Sequence, residues 1–314
     1  MPITTTSILA PQVQIEFDKR ILATPFAEYI HRMGADEYSL GANNGDTKRL
    51  TRYDEIDSAL APLESTGVTP PADLLTGVNI DAKIDYYGTW IELNEQVTLQ
   101  RSDRVLNNAA IQLGNTLRKT EDELTRNMFQ ATAAVLNCVA GVNGDTPTEL
   151  TASDVDDVVT LLRGANAKMF TKDIEGKDKF GTAPIAASYM VMAHTDLIKS
   201  MRNVQGFVHR SQYPDRSSIM QAEEGNIGDL RFMISSIGSK ELGASKLNAN
   251  LYNMFCSAKN SVGRIKQDQY GSRFIVHPPR LNGPMELNST AAFKMSFVAR
   301  ILNDRHVYNL RCTI

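Results

Sequence analysis

Apolar and polar residues alternate along several stretches of the chain. Val78-Asn79-Ile80-Asp81-Ala82-Lys83-Ile84-Asp85 does so without a break. Just after it, Tyr87, Thr89, Ile91 and Leu93 hold alternate positions, as do Phe293, Met295, Phe297, Ala299 and Ile301 near the C-terminus. In the last stretch Tyr308, Leu310, Cys312 and Ile314 are separated by Asn309, Arg311 and Thr313. A period of two is that of a strand with one covered face. The Thr- and charge-rich segment 47–53 is a further strand candidate, and the apolar runs 184–193 and 230–234 suit buried strands.

Between these stretches the period changes. Leu106, Ala110, Leu113, Leu117, Leu124, Met128, Ala131 and Val135 recur at mostly three- and four-residue steps, with no proline and one glycine, Gly114, over 102–137. That spacing predicts one helix face. Ser102 is placed to cap it and Asp103 suits its first turn. Such a helix is on the order of 50 Å long, a spine along which other elements lie. A second helix is expected over 153–162. Ser153 and Asp156 hold capping-box positions there, and Val155, Val158, Val159 and Leu162 face inward. A third begins over 195–201 with Thr195 as cap.

Glycines and prolines divide the rest. Gly41-Ala42-Asn43-Asn44-Gly45-Asp46 and Gly225-Asn226-Ile227-Gly228 read as turns. Residues 54–77 carry Pro62, Gly67, Pro70, Pro71 and Gly77, a connection long enough to suggest a functional loop. Residues 46–98 are therefore expected to form a long β-hairpin arm. Residues 1–45 read as an N-terminal arm, with a short helix over 12–20 placing Val13 and Phe17 together. An arm that cannot bury its own apolar residues needs a partner surface. The fold class is α+β.

Composition narrows the function. Among 314 residues, 33 Lys and Arg face 36 Asp and Glu, so the basic excess of a dedicated nucleic-acid binder is missing. The first ten residues lack the pattern of a secretory signal, and no stretch approaches a bilayer span, so no membrane partner is expected. Three well-separated cysteines, Cys138, Cys256 and Cys312, fit a reducing compartment and show no zinc or redox spacing.

Catalytic motifs are missing as well. None of the five histidines stands in an HExxH pattern, and no GxSxG, GxGxxG or GxxxxGK[ST] loop is present. His194 with Asp196 is the best acid–base candidate, with a satisfied structural histidine as the plainer reading. Asp154, Asp156 and Asp157 suit a helix start better than a metal. The charged run 172–179 reads as a solvated loop. Trp90 with Tyr86 and Tyr87 is a candidate base-stacking platform, though packing on a covered strand face is the simpler account. Lys48, Arg49 and Arg52, and later Lys199, Arg202, His209, Arg210 and Arg216, gather locally. They suit intersubunit ion pairs or non-specific phosphate contacts. No catalytic, cofactor or metal residue is assigned.

Four stretches in order resemble one family. Pro62-Leu63-Glu64-Ser65-Thr66-Gly67-Val68-Thr69-Pro70 and Tyr87-Gly88-Thr89-Trp90-Ile91-Glu92-Leu93 are similar to segments of the N4-type phage major capsid proteins. So are Tyr189-Met190-Val191-Met192-Ala193-His194-Thr195-Asp196, with Thr195 in place of the usual proline, and Glu224-Gly225-Asn226-Ile227-Gly228-Asp229-Leu230-Arg231-Phe232, with Asn226 in place of Glu. The resemblance implies the HK97-like capsid fold. On it, 1–45 is the N-terminal arm, 46–98 the extended E-loop, 99–181 the P-domain with its spine helix over 102–137, 182–262 the A-domain, and 263–314 the closing strands of the P-domain. It implies a virion subunit that forms hexamers and pentamers of an icosahedral head, assembled in the host cytoplasm. The partners implied are a portal, cement proteins and non-specific contact with packaged double-stranded DNA. Reading the arm from Met1 adds the expectation of a separate scaffolding protein. Val13, Phe17, Pro62, Leu63, Val68, Pro70 and Pro71 are the expected assembly contacts. The alternatives are a phage decoration or tail protein, and a hydrolase without a familiar motif.

Overall fold

The computed structural model describes residues 26–56, 58, 72–94, 96, 105–131, 134–139, 146–170, 187–213, 219–220, 222–243, 250–268, 272–277 and 288–314. Strands and helices are numbered along the chain. An eight-stranded sheet runs in the order β5 (Val135–Asn137), β15 (Val307–Cys312), β11 (Leu251–Ser257), β6 (Tyr189–His194), β9 (Leu230–Ser235), β8 (Glu223–Ile227) and β7 (Phe207–His209). The short β10 (Lys240–Glu241) adds to β11. The β5–β15 and β6–β9 pairs are parallel and the others antiparallel.

Strand alternation splits this sheet's side chains between two cores. Tyr189, Val191 and Ala193 of β6 join Leu230, Phe232 and Ile234 of β9 on one face. Helix α2 (Ala152–Gly164) covers that face with Val155, Val158 and Leu162. Met190, Met192, Met233 and Phe255 point the other way, where Ile30 and Phe129 meet them. Both faces are covered, so these strands read as apolar runs rather than alternating ones. Phe129 is fully buried and stacks on Phe255 with ring centroids 5.5 Å apart. Truncating a buried phenylalanine to alanine costs about 3–5 kcal/mol.

A five-stranded sheet holds β1 (Asp36–Leu40), β12 (Val262–Gln267), β14 (Asn288–Ile301), β13 (Ser272–His277) and β4 (Asp85–Asn94). Asn288–Phe297 of β14 pair with β4, and Thr290–Met295 within that stretch also pair with β13. Val298–Ile301 pair with β12 instead. Helix α1 (Val105–Gln130) lays Leu113 and Leu117 on Ile91, Ala291 and Phe293 of this sheet. Its far end carries Phe129 into the core of the eight-stranded sheet. One helix, about 39 Å long at 1.5 Å per residue, thus bridges both sheets. A separate ribbon, β2 (Thr47–Tyr53) with β3 (Gly77–Lys83), packs Leu50 and Ala82 on Leu40 and Ile265. The short helix α3 (Ile198–Asn203) follows β6.

Several expectations shift. The helix expected over 102–137 ends at Gln130, and residues 101–104 are outside the described residues. Val135–Asn137 instead pair with Asn309–Arg311, and Asn309 N–H donates to Ala134 O at 2.9 Å. A sheet edge needing partners overrides the continued helical spacing of Ala131 and Val135. The second helix starts earlier. Thr151, not Ser153, is its cap, and Asp154 closes the capping box at Thr151 N (3.0 Å). Asp154 also accepts from Val139 N–H at 3.2 Å, so it ties the helix start to the chain leaving β5. His194, not Thr195, caps the turn before α3, accepting from Asp196 N–H at 3.1 Å. Residues 46–98 divide between two units, because β2 and β3 pair with each other while β4 pairs with β14. Gly225–Ile227 are strand, and the β8–β9 turn is Gly228-Asp229, with Gly228 at φ 55°.

Candidate interaction surfaces

The β2–β3 ribbon is built by its own charges on one side and by the body on the other. Arg49 makes a paired hydrogen bond to Asp81 across the strands, at 2.7 and 2.8 Å. Thr51 Oγ1 donates to Asn79 at 2.8 Å. Lys48 donates to Ser39 O and lies 5.6 Å from the centroid of the Tyr38 ring, and Arg52 donates to Leu302 O at 3.3 Å. These three cations therefore fasten the ribbon within one subunit. Toward the open end of the ribbon the picture reverses. Tyr53, Ile56, Leu74, Leu75 and Val78 are exposed, Leu74 to 83%. Single exposed apolar side chains are ordinary, but a run of them on one ribbon marks a contact surface.

At the ribbon's base lies a cavity of about 440 Å³, lined by Tyr38, Leu50, Thr51, Arg52, Ile80, Asn166, Lys168, Lys259, Asn260, Leu302, Asn303 and His306. Its lining mixes apolar side chains with the cations Arg52, Lys168 and Lys259, and no carboxylate lines it among the described residues. Asn166 and Asn260 line it with φ 55° and 59°, the left-handed region that asparagine tolerates. The arrangement favours an anionic group that carries some apolar surface.

The outer face of β4 is also open. Cross-strand pairing sets Trp90 opposite Ala292 and Tyr86 opposite Ser296, on the side away from α1. Trp90 is 61% exposed and Tyr86 67%. Among the described residues the covered-face packing expected for Trp90 is not found, because the covered positions of β4 are the alternate ones, led by Ile91.

The N-terminal described residues are held by a buried pair. His31 and Asp122 lie 2.7 Å apart and are 0% and 1% exposed. Asp122 also accepts the backbone N–H of His31 (2.9 Å) and of Arg32 (3.3 Å). The contact spans 91 residues of sequence and fixes the 3-10 turn His31–Gly34 on α1. Sequence reading missed it, since nothing in a lone histidine and a helical aspartate links them.

The His194–Asp196 pair does not make an acid–base couple. His194 Nδ1 accepts from Asp196 N–H, and its distance to Asp196 Oδ2 is 3.5 Å. Asp196 instead receives Lys240 Nζ at 2.7 Å and the Tyr252 hydroxyl at 2.9 Å. Lys240 foremost, with Tyr252, holds the carboxyl below its usual range, and burial pushes the His194 imidazole down. A histidine whose Nδ1 is a cap acceptor is not oriented by the carboxylate as a general base is. The group is a clamp joining the ends of β6, β10 and β11.

Of the other residues singled out, Arg202 pairs with Glu224 (Nε 3.0 Å), His209 lies 3.5 Å from the same carboxylate, and Arg210 donates to Glu223 O at 3.0 Å. They tie α3, the end of β7 and the turn after it to β8. Val13, Phe17, Pro62, Leu63, Val68, Pro70 and Pro71 lie outside the described residues, as do the 12–20 helix, the 172–179 loop and Arg216. Among the described residues no cluster of metal-ligating side chains occurs, and no helix is long and apolar enough to cross a membrane.

A family model described as "Phage capsid protein" matches residues 77–291, more than half of the chain. No curated protein matches it in sequence. Solved structures resemble it along nearly their whole length. The capsid of Ralstonia phage GP4 is 10% identical, with TM-score 0.70, 99% of this chain covered and 98% of that one. The head structure of Helicobacter pylori bacteriophage KHP40 is 9% identical, with TM-score 0.69 and coverage of 100% and 98%. The Cyanophage Pam1 capsid asymmetric unit is 12% identical, with TM-score 0.64 and coverage of 97% of both. At such identities the likeness is one of fold.

Proposed function

The chain belongs to the phage capsid protein family and has the mixed α/β HK97-like capsid fold, and on that premise we propose that it is the major capsid protein of a tailed double-stranded DNA phage of the N4 type. Its role is structural and non-catalytic, and the phage head is its location. In this reading copies of the chain assemble into hexamers and pentamers of an icosahedral shell. The ribbon and the loop it carries, within 46–98, act as the E-loop. Helix α1 is the spine of a P-domain over 99–181, and 182–262 is the A-domain. Residues 263–314 return to the P-domain. A portal and cement proteins are the further partners. The cations Arg52, Lys168 and Lys259 that line the cavity suit non-specific contact with DNA phosphate.

The observation that carries the proposal is the ribbon with exposed Tyr53, Ile56, Leu74, Leu75 and Val78 toward its open end. Fully burying an aliphatic or aromatic side chain contributes about 1.5–3 kcal/mol before ordering costs. Several such groups per subunit, repeated around a shell, stabilise it although each contact is modest. Val13, Phe17, Pro62, Leu63, Val68, Pro70 and Pro71 are proposed to share in these contacts. The test is deletion of residues 61–71, followed by circular dichroism beside electron microscopy. A folded subunit that fails to close shells is expected. Normal capsids would rule the contact role out, and an unfolded chain would place the loop in the subunit's own core.

A further inference from the structure

Cys138, Cys256 and Cys312 are buried in the core that α2 covers. Two of them face each other. The parallel β5–β15 ladder pairs Val135 with Asn309, Leu136 with Leu310 and Asn137 with Arg311. Cys138 N–H then donates to Arg311 O at 2.8 Å, which carries the same register one residue on and sets Cys138 opposite Cys312. Both side chains point to the face already shared by Leu136 and Leu310. Neighbouring strands lie about 4.8 Å apart, inside the roughly 4.4–6.8 Å that a disulfide requires between Cα atoms. Cys138 and Cys312 are both fully buried. Cys256 is placed otherwise, because the partner of Cys312 on β11 is Tyr252, and Cys256 pairs with Tyr308. Four residues along a strand is roughly 13 Å, too far to bridge.

We propose that Cys138 and Cys312 are a disulfide-ready dithiol, a covalent latch between the edge strand β5 and the C-terminal strand β15. Its oxidant is a small-molecule disulfide. The Cys138 thiolate attacks one sulfur of that disulfide and releases one small thiol. The Cys312 thiolate then attacks the Cys138 sulfur of the mixed disulfide and releases the second. Two protein thiols and one small disulfide thus become one protein disulfide and two small thiols. The step needs local opening. The neighbouring Cys312 thiol and burial push the Cys138 thiol well above its usual range, and burial pushes Cys256 up to about 12. β5 is three residues long and sits at the sheet edge, so it is the element that opens at least expense. The thiols stay reduced in a reducing compartment and close once the protein leaves it. The inference does not depend on the capsid reading.

The test uses the full chain, unassembled or in particles, incubated with oxidised glutathione. Remaining thiols are alkylated in denaturant and the digest is mapped by mass spectrometry. Expected are a 138–312 linked peptide, an alkylated Cys256, and faster linking in urea below the unfolding transition. The unfolding temperature should rise on linking and fall back with a reductant. Cys256→Ser should link normally and Cys312→Ser not at all. The wild-type peptide map decides alone if a variant fails to fold. Glutathione adducts on single cysteines, a bridge that includes Cys256, links between chains, or three free thiols after the urea incubation would each overturn the proposal.

Discussion

Replacing Asp122 by alanine removes an acceptor that three donors share. The His31 ring nitrogen, the His31 N–H and the Arg32 N–H lose it together. His31 is fully buried, and its Nε2 already has no partner among the described residues. An unsatisfied buried donor costs about 1–3 kcal/mol. The Arg32 bond is long and partly exposed, so the other two dominate and a loss of about 2–6 kcal/mol is expected. For a chain of this size that lowers the unfolding temperature by roughly 3–9 °C. Asp122→Asn keeps an oxygen for the backbone donors and should lose less. The assay is thermal and urea unfolding of the unassembled subunit, with amide exchange followed over 28–34. The anchor holds that segment, so its protection should fall first. A loss below about 1 kcal/mol, with unchanged exchange, would refute the reasoning.

Three further outcomes follow from single contacts. A Cβ on Gly88 would stand 2.6 Å from the Phe293 carbonyl oxygen, which is backbone and cannot swing away. Gly88→Ala should cost about 1–3 kcal/mol in denaturant titration. Thr151→Ala removes the cap of α2 and should cost about 1 kcal/mol, read as a shifted midpoint at unchanged slope. His194 and Asp196 both have folded pKa values below their unfolded ones. Their contribution is present above the unfolded pKa and lost as pH falls through the folded one. Stability should thus decline on acidification below about 6.5 for the imidazole. His194→Gln should flatten that part of the stability–pH curve, and an unchanged profile would remove His194 from the account.

Strands with alternating apolar positions were legible because their period is local. β2 was expected over 47–53 and occupies Thr47–Tyr53, and β14 and β15 follow the alternation of 293–301 and 308–314. The face of α1 was legible from Leu113 and Leu117, which pack as their spacing implies. What failed was whatever depended on a distant partner. Val135 keeps helical spacing, yet β15 recruits it as strand. Ser153 and Thr151 both begin a Ser/Thr-x-x-Asp pattern, and the buried Asp154 with its bond to Val139 decides between them. β4 joins β14 across some 196 residues, a pairing that no local signal in one chain announces. His31 with Asp122 is the same case for the anchor. The ribbon was foreseen as a hairpin arm, but its exposed apolar end and the cationic cavity emerge only once β1, β12 and the α2 end surround its base.

Helix α1 has a mechanical consequence. Leu113 and Leu117 grip one sheet and Phe129 the other, so tilting the sheets against each other must either bend the helix or peel one of those contacts away. Natural helices curve only gently, with radii of roughly 60–100 Å. The body should therefore behave as a single stiff lever whose fulcrum is the β14 contact. A sideways load taken up at the ribbon is transmitted through β1 and β12 to that fulcrum, and reaches the eight-stranded sheet as torque on the Phe129–Phe255 stack. A lattice that must seat this subunit at more than one angle has to find its compliance in the ribbon and in the connections around the body, because the beam between the two sheets does not supply it.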